Sequence, residues 1–318
     1  MINSARRPAT WKVFSAFAII YVVWGSTYLA IRVGVGEMPP FLMAGIRFTA
    51  AGLALYGWMR LRGKPSPSRG EWRAACILGS LMFLLDYACL FWAEQRIPSG
   101  IAAVILAVIP VCITVLEITF LRTQRLTLPL ALGLALGVLG VAILVNPWAS
   151  LGESTLDRWS VIALVVACLG WSVGTIITPR LTLPSAKAMS AGAQMLTGGL
   201  ELLVLAALAG EFRHFEVRHI SAAAWFSLVY LIVAGSIIAF TAYVWLLHFE
   251  SPTKVGTYAY VNPLVAVILG AALGGEIVGR RTVLSTVLIL VSVGAITKTK
   301  ARQTRPEELV PSADRRLA

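Results

Sequence analysis

Apolar residues gather into ten long runs separated by short polar stretches. They are Val13–Ile31, Pro39–Met59, Arg73–Ala93, Ser99–Leu121, Leu128–Val145, Ser160–Pro179, Ala188–Ala209, Ala222–Leu247, Thr253–Leu273 and Thr282–Thr297. The hydrocarbon of a bilayer is about 30 Å thick and takes roughly 20 helical residues to cross. The runs are continuous and lack the apolar–polar alternation of a membrane barrel strand. A helix satisfies its own backbone in lipid. The pattern therefore predicts an all-α integral membrane protein with ten transmembrane helices. The first run is too long for the apolar core of a signal peptide and has no convincing small-residue cleavage site, so it is expected to be the first membrane helix.

Composition sharpens this. Of 318 residues, 58% are apolar and only 13% charged, against about 45–50% and 25% in soluble domains. The mean hydropathy is +0.80. These values exclude a soluble enzyme, a disordered chain and a disulfide-stapled secreted domain. The net charge of +12 does not signal nucleic acid, because the basic residues lie between the apolar runs. With the N-terminus in the cytosol, 19 Lys and Arg fall on the cytosolic side and 7 on the other, with Arg47 inside the membrane. That bias predicts cytoplasmic N and C termini. Cys76, Cys89, Cys112 and Cys168 all lie in apolar runs without metal-type spacing and read as inert side chains.

The chain also repeats itself. A shift of 147 residues lays Trp24 on Trp171, Gly45 on Gly192 and Gly52 on Gly199. A shift of 153 lays Pro110 on Pro263, and one of 154 lays Gly140 on Gly294. Each half then holds five helices. An odd number makes the second half enter the membrane from the opposite side, giving two inverted five-helix repeats, a plan common among secondary transporters. The expected organisation is a cytosolic segment at 1–12, repeats at 13–145 and 160–297, a linker at 146–159 and a solvated tail at 298–318.

Several stretches carry a family resemblance: Trp24-Gly25-Ser26-Thr27-Tyr28, Ala44-Gly45-Ile46-Arg47-Phe48, and Ala93-Glu94-Gln95-Arg96-Ile97-Pro98-Ser99-Gly100 leading to Ala102-Ala103 and Pro110. Over residues 13–297 the chain resembles the EamA-type carriers of the drug/metabolite transporter superfamily. The resemblance implies a ten-helix bundle of two inverted repeats around a central cavity, and export of amino acids, nucleosides or toxic small molecules. The family often has Gly-Glu after the fourth helix of each half. The second half keeps it as Gly275-Glu276, whereas the first reads Arg122-Thr123.

Candidate chemistry lies in costly places. An ionisable group in the hydrocarbon costs about 2.5–3.5 kcal/mol on insertion scales and is expected to face the bundle interior. Arg47, Asp86, Glu117 and Glu201 qualify. Arg47 suits an anionic substrate group or a structural pair with a buried carboxylate or helix-end carbonyls. Asp86 suits proton coupling or neutralisation of a cation, and Glu117 and Glu201 suit coupling or gating. Pro110 and Pro263 interrupt matched helices, either as packing kinks or as markers of a transport site. Asn262 and Tyr258 sit beside Pro263. Trp24 and Trp171 occupy matched aromatic faces and either line the cavity or pack helices. Tyr28 and Trp148 suit an interfacial belt. Gly133-x-x-x-Gly137 and Gly270-x-x-x-Gly274 suit close packing within the chain or dimerisation.

The substrate-binding set is thus Trp24, Arg47, Trp171, Tyr258 and Asn262. The coupling set is Asp86, Glu117, Glu201, Pro110 and Pro263. There is no Walker-type phosphate loop or His-Glu-x-x-His motif, and His214, His219 and His248 show no ligand spacing. No cofactor or metal is expected. The implied partners are the lipid bilayer, a small-molecule substrate and a proton or counter-substrate, with no nucleic acid and a monomer or homodimer as the assembly. The reading is a secondary exporter of small metabolites working by alternating access in a bacterial inner membrane. The rivals are an uptake permease of the same fold, a multidrug efflux carrier and a membrane-embedded lipid enzyme.

Overall fold

A computed structural model of the chain describes residues 8–122, 125–145, 156–213, 215–246, 249–250, 255 and 257–303. The first seven residues, most of the linker with Trp148, the tail beyond Gln303, and Thr123, His214, His248 and Lys254 lie outside them.

The described residues are helical, with no strand among them. In chain order, α1 is Thr10–Val35, α2 Pro40–Leu61, α3 Arg69–Glu94, α4 Ser99–Leu121 and α5 Leu128–Val145. The second half has α6 at Arg158–Arg180 and α7 at Lys187–Leu208. Next, α8 runs through Ala222–Tyr230, Leu231–Ile238 and Ala239–Leu246. Then come α9 at Tyr258–Leu273 and α10 at Arg280–Gln303. Among the described residues, eight helices are long and apolar enough to cross a membrane, and α5 and α9 contain shorter apolar stretches, Leu128–Leu144 and Val261–Leu273. The outer surface is apolar, with Phe14, Leu53, Phe120, Val204, Ile268 and Val291 exposed, as a lipid-facing surface requires.

Local chemistry explains the boundaries. Ser68 and Glu71 form a reciprocal capping box that starts α3. Asp157 caps α6 through the Ser160 amide at 2.8 Å and hydroxyl at 2.7 Å. Helix α10 runs on to Gln303, so the first six residues of the stretch expected as a solvated tail from residue 298 are helical. Lys, Ala, Arg and Gln are good helix formers, and cations favour a helix C-terminus.

Three helices depart from α geometry within their spans, and α6 ends in a 3-10 turn at Thr178–Arg180. Both α3 and α8 contain a π-helical stretch, at Gly79–Leu85 and Leu231–Ile238, near the same point in the third helix of each half. Helix α4 is split between Ser99–Leu106 and Ile109–Leu116, with Pro110 in the first turn of its second piece. The expected match is incomplete. Pro263 lies inside α9, which stays continuous, because the missing amide removes one bond near the helix start and the neighbouring turns carry on.

The most extensive helix pairs are α2 with α7 and α5 with α10; α1 packs on α8 and α9, α6 on α3 and α4, and the first piece of α4 on α9. Exchanging the two halves carries this set of pairs onto itself. Small residues allow the closest approach. A Cβ on Gly52 would lie 2.5 Å from the backbone nitrogen and 2.8 Å from the Cα of Leu196. Gly133 and Gly137 face Ile296 and Ser292 of α10, so this pair serves packing within the chain.

The chain leaves α4 and α9 through equivalent left-handed residues, Arg122 with φ 53° and Gly275 with φ 65°. Glycine takes this conformation freely, whereas a side chain costs about 1 kcal/mol. Arg122→Gly is expected to raise the unfolding temperature of the purified protein, and an unchanged or lower value would show that other contacts of Arg122 outweigh the strain. Conversely, Gly52→Ala sets a methyl against backbone. It is expected to destabilise by about 1–3 kcal/mol, read as a lower unfolding temperature, and an unshifted transition would show that α2 can back away from α7 without loss.

Candidate functional site

Arg47 lies at the meeting of the two halves. It projects from α2, is 3% exposed and donates from Nε to Ser236 Oγ of α8 at 3.0 Å. Its guanidinium sits 4.6 Å from the Phe48 ring centre and 5.2 Å from that of Tyr87. These faces supply cation–π attraction in place of water. Nη1 has no partner among the described residues.

The aromatic wall continues through α3. Phe48 meets Phe83 at 5.0 Å and Tyr87 at 4.5 Å, and Tyr87 meets Trp171 of α6 at 6.4 Å. Asp86 precedes Tyr87, is 2% exposed, and its Oδ1 lacks a partner among the described residues. Arg47 and Trp171 therefore meet one aromatic ladder, with Asp86 next to Tyr87 along α3.

Trp24, Tyr258 and Asn262 form a second group. Trp24 packs on Tyr258 at 4.9 Å and on Tyr243 at 5.4 Å. The surroundings of Asn262 orient its amide nitrogen toward the carbonyls of Tyr21 at 3.3 Å and Tyr258 at 3.1 Å. Tyr21 Oη and Thr257 Oγ1 share a hydrogen bond of 2.5 Å. The π-helical stretch of α8 joins the two groups. It accepts the Trp24 Nε1–H on the Gly235 carbonyl at 3.0 Å and offers the Ser236 hydroxyl to Arg47. A wide turn of this kind frees backbone groups and is frequent at functional sites.

The remaining sequence candidates lie elsewhere. Glu201 does not face the centre. It lines an apolar lateral groove of about 780 Å³ with Phe41, Ala88, Trp92 and Leu205, and its Oε1 accepts from Cys76 Sγ at 3.2 Å. Glu201 continues the face of α7 that packs on α3 through Thr197 and Gly198, and its Oε2 is buried without a partner among the described residues. Glu117 opens a π-helical turn at the end of α4. Pro110 and Pro263 shape their helices without joining the cluster. Tyr28 packs against the main core, which corrects its expected place in an interfacial belt.

Sequence reasoning missed three kinds of residue. Tyr87 and Tyr243 sit in ordinary apolar runs. Ser236 gains its role only from the π turn. Glu94 falls just past the end of an apolar run, yet it is 0% exposed and neither carboxylate oxygen has a partner among the described residues. Its position directly after the apolar run that ends at Ala93 was the available signal; in the structure the Arg32 guanidinium bonds the Glu94 backbone carbonyl.

One end of the bundle is tied between halves by carboxylates. Glu276 Oε1 accepts from the Ser99 amide and hydroxyl, both at 2.7 Å, and Oε2 from the Gly100 amide at 3.1 Å. The Gly275-Glu276 pair is thus a turn followed by an N-terminal cap for α4. Glu211 accepts from the Leu42 amide at 2.7 Å and the Phe41 amide at 3.3 Å, capping α2. Burial pushes the Glu211 carboxyl up, and those amides oppose the shift. Glu37 caps α8 through the Ser221 amide at 2.6 Å and hydroxyl at 2.7 Å.

The family model described as the EamA-like transporter family matches residues 11–146 and 158–298, and the chain belongs to that family. It is a multi-pass membrane protein. It is 36% identical over 289 residues to the "Uncharacterized inner membrane transporter YedA" of Escherichia coli K12, covering 90% of each chain. It is 25% identical over 286 residues to "Protein PecM" of Dickeya dadantii, covering 87% of this chain and 92% of that one. A solved structure described as "Crystal structure of protein" shares the fold at a TM-score of 0.61 and 19% identity, covering 93% of this chain and 100% of that one.

The Ser221 amide, and then its hydroxyl, hold the Glu37 carboxyl below its ordinary value. A depressed folded-state pKa adds stability above the ordinary value, and this contribution is lost as pH falls through the folded value. Acidification from neutrality to about pH 3 should therefore destabilise Glu37→Gln less than wild type. Parallel stability profiles for the two proteins would show that the Glu37 charge is irrelevant to the cap.

Proposed function

We propose that this protein is a secondary carrier that exports small metabolites, amino acids or related compounds, by alternating access. It would cross a bacterial inner membrane ten times as two inverted five-helix repeats, with both termini in the cytoplasm. The exchange symmetry of the helix pairs supports the repeat, and the two stretches matched by the family model fall one in each half. Leu128–Leu144 has room for about 26 Å of helix at 1.5 Å per residue, close to the hydrocarbon thickness. The Lys and Arg bias supports the orientation. The printed name of the YedA relative supports the inner membrane.

The observation that carries the reading is Arg47, a buried cation with one nitrogen unused where the halves meet. A guanidinium with free donors among aromatic walls suits the acidic group of a small ligand. Trp24, Trp171 and Tyr258 would shape the site, and Asn262 would brace its second aromatic group. Asp86 is the coupling candidate nearest the ladder. Glu117, Glu201, Pro110 and Pro263 would act in gating, since they lie away from the ladder.

In the proposed orientation, the caps made by Glu37, Glu211 and Glu276 lie on the outer face and hold the halves together there. Beyond its break, α4 packs on α6 and α10 instead of α9. The halves also meet at the cytosolic end, where Ala16 and Ile20 pack with Leu246 and Val255 and Gly192 lies against Tyr56.

Flux measured in proteoliposomes tests the reading. Arg47→Ala and Trp171→Ala are each expected to lower the transport rate by at least about tenfold, the effect of one charge-assisted contact. Wild-type rates in both would sink the site assignment. Efflux from right-side-out vesicles distinguishes export from an uptake permease of the same fold.

A further inference from the structure

Arg47 makes one hydrogen bond among the described residues, and it crosses to the other half. Nε donates to Ser236 Oγ of α8 at 3.0 Å, while Nη1 has no partner. The backbone beside Ser236 comes close as well, since a Cβ on Gly235 would lie 3.3 Å from Arg47 Nη2. One edge of the guanidinium thus rests against the π-helical stretch of α8, and Nη1 is left uncommitted. Ser236 is 2% exposed, and its hydroxyl makes no other hydrogen bond among the described residues.

The contacts around the guanidinium divide the task of holding it. The rings of Phe48 and Tyr87, at 4.6 Å and 5.2 Å, bear on its charge without directing its individual N–H bonds. A hydrogen bond is directional, so the Nε–Ser236 bond sets which way the guanidinium points within the site. An arginine side chain has many rotamers, and one that must meet an acid at a fixed place gains from an anchor on the edge that the acid does not use. The same turn also removes a competitor. The Gly235 carbonyl is the neighbouring acceptor, and it is taken by Trp24 Nε1–H at 3.0 Å. The winding of α8 places both groups. A π turn carries a residue more than an α turn, and each residue advances a helix by about 100°. Uniform α winding through Leu231–Ile238 would therefore carry Ser236 away from Arg47.

We propose that Ser236 is a positioning residue of the transport site: from the opposite half, it fixes Arg47 so that Nη1 is presented to the acidic group of the substrate. The second half thereby aims a charge that the first half carries. This rests on the reading that Arg47 holds the substrate.

Two probes share a phenyl ring that the aromatic walls accept and differ in charge: phenylpropionate and phenylpropanol. Their binding to the full-length protein in nanodiscs is measured by calorimetry for wild type, Ser236→Ala, Ser236→Thr, Arg47→Ala and the double variant Arg47→Ala/Ser236→Ala. Wild type is expected to prefer the acid. Ser236→Ala should cut that preference by about tenfold and leave phenylpropanol binding unchanged, whereas a merely structural role would weaken both probes. Ser236→Thr keeps the hydroxyl and should keep the preference. In the double variant, loss of Ser236 should add nothing to the loss caused by Arg47→Ala, because Ser236 acts through Arg47. An unchanged preference in Ser236→Ala, equal weakening of both probes, an equal loss in Ser236→Thr, or a further loss in the double variant overturns the role of Ser236. If Arg47→Ala still abolishes the preference in that case, the Arg47 reading survives alone. A wild type that does not prefer the acid, or an Arg47→Ala variant that still does, removes both.

Discussion

A guanidinium buried among apolar helices constrains everything around it. Arg47 is 3% exposed, and no carboxylate among the described residues lies within ion-pair distance of it. Its hydration is replaced by the Ser236 hydroxyl and the faces of Phe48 and Tyr87. Each substitute makes its own demand. Ser236 is available because α8 widens into a π turn, and the same turn exposes the Gly235 carbonyl to Trp24. The Phe48 and Tyr87 faces need α2 and α3 held close, which the glycine contacts between α2 and α7 and between α3 and α7 secure. A single intramembrane charge thereby links four helices drawn from both halves.

The second principle is the supply of hydrogen-bond acceptors to helix starts. A helix N-terminus leaves amides without partners, and at one end of this bundle carboxylates from the other half provide them. Glu276 and Glu211 of the second half cap α4 and α2, and Glu37 of the first half caps α8. Such caps close a turn and join the halves at once. The equivalent of Glu276 in the first half is Thr123, so the acid that ties one end has no counterpart in the sequence at the other. Two halves with the same helix pairing thus differ at their ends.

Much of the fold was legible because a bilayer allows few solutions. Length and continuity of the apolar runs identified the helices, with boundaries shifted by a few residues where capping chemistry or helix-forming basic residues extended them. The site was legible in part. Arg47 and Asp86 announced themselves as charges within apolar runs, and the matched Trp24 and Trp171 as a repeat. Glu201 carried the same signal and was placed differently, since a cost argument tells that a charge needs shelter without telling which groove or partner shelters it. Glu94 carried a weak signal, because it sits one residue past an apolar run and is buried by loops and helix ends distant in sequence.

The sequence by itself determined what is set by one-dimensional physics: helical spans without strand-like alternation, the loop charge bias, the repeat and the few charges lodged among apolar residues. Tertiary structure decided which of those charges meet. The π turns, the break in α4 ahead of Pro110 and the caps made across halves depend on contacts between residues more than a hundred positions apart, such as Arg47 with Ser236 and Ser99 with Glu276. Hydrophobicity is summed along the chain, whereas hydrogen-bond partners are chosen in space.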